Sequence, residues 1–446
     1  MDPHVRQRRL SPTITLPGHL HYARRRAVPR CISLALVLTA AFACADPQSP
    51  PAFLHEVARG HSWVSPYWGY NTPKIVFDGT SYYTTGIWGP YGDAHGVVYK
   101  FAGGAWQPGA TLPGIYQPAT ALLDPGKRLM VVYTRRDRPV RLLRSATPGN
   151  IQDFEELPSP PDMPNAYYIG ASIHGAVMHL AYIINEPNAS GDPAYTMFLA
   201  RLNLDTLEWS PSTRLQAGQT DTKPKTAWTY PILVSRDEGL HMIATNCPDG
   251  SEGNTYNKVW YLFFPGDALE PGTRELVAEC PMGHNAYGLD MAVLPSGEVH
   301  VLHMWNSRVY GDSLPEDSPP PGTYHARRDP ANGVWSRSRL APICVAGLHN
   351  AGGRLLAITQ EGGTLIPWEW QAGNAGWSKL RPLCSREQIP AGPSFMDVIA
   401  PSSGSDMSAG LALVSDGLLP EAEGRPRERV VWSILPTGPS GEDSGE

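Results

Sequence analysis

Two kinds of residue recur in this 446-residue sequence at places where chemistry would need them. Aromatic residues open successive apolar runs. They stand in "YWGYNTP" (Trp68, Tyr70), "GIYQPA" (Tyr116), "NAYYIG" (Tyr167, Tyr168), "TAWTYP" (Tyr230) and "GHNAYG" (His284, Asn285, Tyr287). Histidines and arginines mark the longer loops that follow: "GIWGPYGDAHG" (Trp88, His95), "YTRRDRPVR" (Arg136) and "HMWNSRVYGDSLPED" (His303, Trp305, Arg308). Aromatic rings stack on the apolar faces of sugars, while a few directional polar groups satisfy the hydroxyls. His and Tyr also move protons at neutral pH, and Arg forks onto acidic groups. The combination fits an anionic sugar. Carboxylates in neighbouring loops (Glu186, Asp192, Asp249, Glu252) would suit calcium or another divalent cation, but no spacing specifies a metal or an organic cofactor.

These residues are spaced by a repeating unit. Seven times an apolar strand, a tight turn and a second apolar strand occur in succession, as in "KIVFDGTSYYTTGIW" from Lys74 and "LDMAVLPSGEVHVLHMW" from Leu289. A third strand usually follows, and an aromatic opens a fourth: Trp106, Phe154, Trp209, Trp335 and Trp377. Four-stranded antiparallel units of roughly 40–60 residues predict an all-β, seven-bladed β-propeller, here spanning residues 46–437. The seventh unit shows only three strands, ending at "RVVWSIL". The N-terminal "FLHEVARG", Phe53 to Gly60, is expected to supply the fourth and close the ring, which removes free sheet edges.

In that frame the residues entering the first strand and leaving the second share one face around the central channel. His179, His241 and His300 occupy one equivalent second-strand position in three units. A catalytic group is needed once, whereas a packing solution is reused, so these three read as structural.

A hairpin ending in Gly-x-apolar-His-apolar, then a strand, a turn and Trp, resembles the sialidase-like, BNR-repeat propellers, a superfamily of sialidases and some polysaccharide lyases. The likeness covers about Pro66 to Leu435, with a degraded Asp-box in "RRDPANGVW", Arg327 to Trp335. The resemblance implies glycan recognition and cleavage, by a lyase or a glycoside hydrolase. The sialidases' early arginine motif is replaced by "TPKIVFDG", which argues against sialidase activity. Lyase chemistry on these loops would draw its base from His95, His284 or His303, its acid from Tyr230 or Tyr287, and its carboxylate clamp from Arg136 or Arg308. Substrate contacts fall to Trp68, Tyr70, Trp88, Tyr116, Tyr168, Asn285 and Trp305. The alternative is a non-catalytic surface propeller that binds glycan or a protein.

Bulk properties agree with this class. Charged residues make up 17 % of the chain, and 44 Gly with 45 Pro favour short strands and many turns. A net charge of −6 gives no electrostatic reason to expect nucleic acid. Residues 1–45 read as an export signal, with "RRRAVPR" before the apolar "CISLALVLTAAFACA", which is too short to span a bilayer. Ala41-Phe42-Ala43-Cys44 resembles a lipobox, so the expected place is periplasmic, extracellular or lipid-anchored at Cys44, in a bacterial cell, as a monomer. In an oxidising compartment Cys247 would pair with Cys280, and Cys344 with Cys384. The acidic tail 438–446 is expected to be disordered.

Overall fold

A computed structural model describes residues 54–436, except 69–71, 137, 188–192, 217–225, 249–256, 281–284, 307–318, 343, 352, 375, 390 and 421–427. The described residues form seven four-stranded antiparallel sheets, the blades of a propeller. After β1 (Leu54–Gly60), the first blade is β2 (Ile75–Phe77), β3 (Tyr82–Trp88), β4 (His95–Ala102) and β5 (Ala105–Pro113). The second is β6 (Thr120–Leu123), β7 (Leu129–Arg135), β8 (Arg138–Ser145) and β9 (Phe154–Leu157). The third is β10 (Ile169–His174), β11 (Val177–Pro187), β12 (Pro193–Asn203) and β13 (Thr213–Gln216). The fourth is β14 (Thr226–Arg236), β15 (Gly239–Pro248), β16 (Lys258–Pro265) and β17 (Thr273–Glu279). The fifth is β18 (Asn285–Val293), β19 (Val299–Asn306), β20 (Gly322–Arg328) and β21 (Trp335–Ala341). The sixth is β22 (Ala346–Ala351), β23 (Arg354–Glu361), β24 (Thr364–Gln371) and β25 (Gly376–Lys379). The seventh is β26 (Pro393–Val398), β27 (Leu413–Leu418) and β28 (Arg429–Ile434), completed by β1, which pairs antiparallel with β28. The N-terminal strand therefore closes the ring as the sequence implied.

Burial grades from the axis outward. Inner strands such as β2 and β6 are buried at every residue, whereas outer strands such as β21 are mostly exposed. This is why inner strands read as unbroken apolar runs and outer strands do not. Neighbouring blades are also tied by hydrogen bonds from one blade to the next. Asp290 accepts from the Leu348 amide, Asp397 from the Lys74 amide, the Ser172 hydroxyl from the Ser235 amide, and Thr245 Oγ1 from the Gly288 amide. Gly170 lets the third and fourth blades approach, since a Cβ there would lie 2.3 Å from the Pro231 carbonyl oxygen.

The 3-10 turn Pro401–Ser403 of the seventh blade reaches the innermost strands of the second, third and fourth blades. The Ser172 hydroxyl donates to the Ser402 carbonyl, and Gly404, at φ 76°, lies against the Leu123 carbonyl. The degraded Asp-box folds as the turn between β20 and β21, with Asp329 accepting from the Ala331 amide and Trp335 Nε1 donating to Glu275.

Two expectations are corrected here. Trp209 makes only an isolated bridge to Leu202, and the fourth strand of its blade starts at Thr213, because the turn after Asn203 is longer than in other units. The disulfides do not form: Cys280, Cys344 and Cys384 are free, buried thiols. Cys280 Sγ donates to the Asn285 carbonyl (3.1 Å), and burial pushes the thiol up to about 12, so it behaves as a small core residue. The side chain of Cys247, the leader 1–45 and the tail 438–446 lie outside the described residues.

Candidate functional site

At the upper end of the channel, where the inner strands begin, lies a cavity of about 360 Å³. Its lining includes Trp68, Tyr230, Tyr287, Leu289, Met304 and Phe395. Three inner strands carry a register break at this level: β14 between Thr229 and Ile232, β18 between Gly288 and Asp290, and β26 between Pro393 and Phe395. Bulges re-aim side chains, and these bring Tyr230, Leu289 and Phe395 to the cavity wall. Tyr230 sits at φ 55°, the one non-glycine residue inside a described strand in the left-handed region.

From the cavity a chain of aromatic contacts runs across the upper face through four blades. Tyr230 meets Tyr168 edge-on at 4.8 Å between ring centroids, and Tyr168 meets Tyr195 at 6.3 Å. Tyr195 meets Tyr167 at 6.3 Å, and Tyr167 meets Tyr116 at 6.3 Å. Tyr116 reaches Trp63 at 5.7 Å and Tyr91 at 6.2 Å, and the Arg136 guanidinium lies over the Tyr91 ring at 5.6 Å. Burial and the neighbouring Tyr91 phenol push the Tyr116 hydroxyl up to about 12, with Arg136 pulling the other way. Tyr116 is therefore a neutral donor at physiological pH.

Beneath the cavity the wall is charged. Lys74 is fully buried, and its Nζ donates to the carbonyl of Trp68, a cavity residue. Loss of hydration pulls the Lys74 ammonium down to about 8 against the pull of Asp397 and Asp416. Desolvation pushes the Asp290 carboxyl up to about 7, with the neighbouring Asp397 adding to the rise. Asp397 and Asp416 are raised by burial too, and Asp416 is held by Ser65 and Arg429. Asp290 and Asp397 accept from amides of the neighbouring blade, so they tie the blades together beside the cavity residues Leu289 and Met396.

The residues singled out from sequence separate into groups. Trp68, Tyr230 and Tyr287 line the cavity, Tyr168 packs against Tyr230, and Tyr116 and Arg136 lie on the aromatic tract. His95 is exposed at the start of β4. Trp88 is buried against Gly60 and donates from Nε1 to Tyr99, which makes it a core residue and not a sugar platform. His303 is wholly buried and stacked on Tyr324 at 5.7 Å, and burial drives its imidazole down to about 3. That placement removes it from the candidate bases. Asn285 is buried at the start of β18, and Trp305 is half-buried against the core of the fourth and fifth blades. Tyr70, His284 and Arg308 lie outside the described residues. Among the described residues no group of three or more His, Cys, Asp or Glu is arranged to hold a metal ion.

Trp63, Tyr91, Tyr195, Met304 and Phe395 were not marked in the sequence. Tyr91 was legible as the lone aromatic of a Gly-Pro-Tyr-Gly turn, and Tyr195 as an aromatic opening a third strand. Trp63, Met304 and Phe395 carry no such signal.

No protein-family model matches the chain, and no curated protein sequence matches it. Among solved structures it is similar to a family PL25 polysaccharide lyase, an ulvan lyase bound to -[GlcA(1-4)Rha3S]-. That match has a TM-score of 0.60 at 11 % identity, covering 85 % of this chain and 95 % of the other. It is also similar to an α-L-arabinanase of Penicillium chrysogenum (TM-score 0.41, 14 % identity, 71 % and 93 % covered). A third is the α-L-arabinofuranosidase of family GH93 from Fusarium graminearum (0.42, 12 %, 71 % and 92 %). At these identities the likeness is one of fold.

Proposed function

We infer that this protein binds an acidic polysaccharide across its upper face and cleaves it by elimination at the cavity. The observation that carries the reading is the unbroken run of aromatic contacts from Trp63 to Tyr230, ending at a cavity that also holds Tyr287. Contiguous rings offer successive stacking platforms at low entropic cost, which suits a chain of sugars better than a single small molecule. The walls of the cavity supply phenols, and phenols fit elimination. A base removes the proton from the carbon beside the uronate carboxylate, the freed electron pair forms the ring double bond, and the glycosidic oxygen leaves with a proton from an acid. Tyr230 and Tyr287 are the candidate acid and base, His95 and His284 the alternative bases, and Arg308 the carboxylate partner, since Arg136 lies over Tyr91 at the outer end of the aromatic tract. The fold shared with a polysaccharide lyase supports this assignment, and the turn Arg327–Trp335 supports a place beside the sialidase-like propellers.

The purified chain, incubated with uronate-containing polysaccharides including ulvan, is expected to generate unsaturated-uronate absorbance that Tyr287→Phe abolishes. Reducing ends without that absorbance would mean hydrolysis. A second reading rests on the apolar part of the lining, Leu289, Met304, Val345, Phe395 and Met396. A propeller that only binds glycan would retain polysaccharide and release nothing.

The same reading puts the protein outside the bacterial cytoplasm, on the strength of its leader. Labelling with a fatty-acid probe, lost in Cys44→Ala, is the expected result for a lipid-anchored form. A processed but unlabelled chain would mean free secretion.

A further inference from the structure

The outer end of the aromatic tract differs from the cavity end in exposure and in charge. Tyr91 is 53 % exposed, while Tyr230 is 4 % exposed. Val334, the other exposed large apolar side chain among the described residues, stands in the turn before β21. Tyr91, by contrast, has built surroundings. Its turn is fixed by Gly89 at φ 100° and Gly92 at φ 89°, by the Asp93 amide donating to the Pro90 carbonyl, and by the Trp63 amide donating to the Gly89 carbonyl. A Cβ at Gly89 would lie 2.8 Å from the Asp93 carbonyl oxygen, so the turn is compact. The ring stands edge-on to Trp63, with centroids 5.0 Å apart and planes at 82°, and it lies next to the neutral Tyr116 phenol. Arg136 reaches over it from the end of the second blade's β7–β8 hairpin. A rigid, water-facing ring carrying a planar cation offers a pyranose a stacking face and offers its acidic substituent a forked donor. The same ring is joined to the cavity through Tyr116, Tyr167, Tyr195 and Tyr168.

We propose that Trp63, Tyr91, Tyr116 and Arg136 form a remote subsite for an acidic sugar, bearing a carboxylate or a sulfate ester, of the chain whose reacting unit occupies the cavity. The proposal rests on the polysaccharide reading above and deepens it. A polymer lying along the linked rings would contact both ends, so the protein would read an anionic group at a second place besides the bond it attacks. Binding at Arg136 is charge-assisted and partly exposed, so it weakens as salt rises.

The test is the affinity of the full chain for a size ladder of GlcA–Rha3S oligosaccharides, with carboxyl-reduced and desulfated ladders beside it. Arg136→Gln and Tyr91→Ala are expected to weaken the longest member about ten-fold, equivalent to about 1.4 kcal/mol. The shortest member that binds should be unaffected. With one of the two modified ladders the Arg136→Gln loss should vanish, which identifies the group that is read. Unchanged affinity of both variants for the longest member, with Tyr230→Ala weakening every member, would overturn the subsite and leave the cavity reading standing. Equal weakening by Arg136→Gln on the unmodified ladder and on both modified ladders would overturn the acidic assignment. Failure of the wild-type chain to bind any member would remove both proposals together.

Discussion

Tyr230 holds a backbone conformation that costs an L-residue about 1–2 kcal/mol, and it does so inside a strand. The two other described non-glycine residues at positive φ, Lys127 and Leu207, stand in turns where that conformation is common. The β14 bulge absorbs the strain and presents the ring to Tyr168 and the cavity. Strain kept at a cavity wall motivates the proton-transfer role proposed for Tyr230. Tyr230→Phe preserves ring and backbone, so its melting temperature is expected to match wild type, while turnover falls by about 10²–10⁴-fold if the phenol transfers a proton. A parallel loss of melting temperature would mean that the hydroxyl is structural. The cavity residues Trp68, Tyr230 and Tyr287 were legible because each enters an inner strand, and the repeat delivers that position to the mouth. His303 was misread because loop proximity was weighed above strand parity. In β19 the side chains of Val301, His303 and Trp305 alternate with those of Leu302 and Met304. Met304 reaches the cavity, while His303 is sealed against Tyr324.

At the scale of the strand, the repeated histidines have a measurable consequence. His179 bonds the Ser235 hydroxyl of the next blade at 2.9 Å, His241 bonds Tyr261 at 2.8 Å, and His300 bonds His325 at 2.9 Å. The equivalent position is thus solved three ways, as packing requires. Burial pulls His179, His241 and His300 down to about 4, His303 to about 3, and His325 well below its ordinary value. The folded state keeps these rings neutral while the unfolded chain protonates near pH 6.5. Their contribution is therefore complete above about pH 6.5 and is lost as pH falls toward about 4, at about 1.4 kcal/mol per unit for each ring. Asp290, Asp397 and Asp416, raised by burial, act in the opposite sense and are fewer. Denaturation midpoints are expected to stay nearly level through neutral pH and to fall steeply below about 6. A flat profile to pH 5 would contradict the buried, neutral assignment. Hairpins were the most legible elements, since paired apolar runs around a turn have one reading. Outer strands were less so: β13 is short and displaced from the Trp209 that should have opened it.

For the whole molecule, repetition made the architecture legible, whereas the tract across its face was not. The tract draws Trp63 from before the first blade, Tyr91 from a turn, Tyr116, Tyr167 and Tyr168 from strand approaches, and Tyr195 from a third strand. No single sequence offset joins them. The ring itself depends on one distant pairing, Leu54 with Ile434 through Gly60 with Arg429, backed by Trp106 Nε1 donating to the Ser433 hydroxyl. A chain beginning at residue 61 would leave β28 as an open edge. It is expected to lose cooperative melting and to self-associate, read by calorimetry and light scattering against a chain beginning at residue 46. A cooperative monomer would show that the seventh blade stands on three strands. The pairing also orders events in time. The strand made first can bond only to the strand made last, so every shorter nascent chain presents an unmatched edge and an open seam. The closed ring is reached in a single late step, and until then the chain depends on delay, dilution or a chaperone to keep that seam from finding another copy of itself.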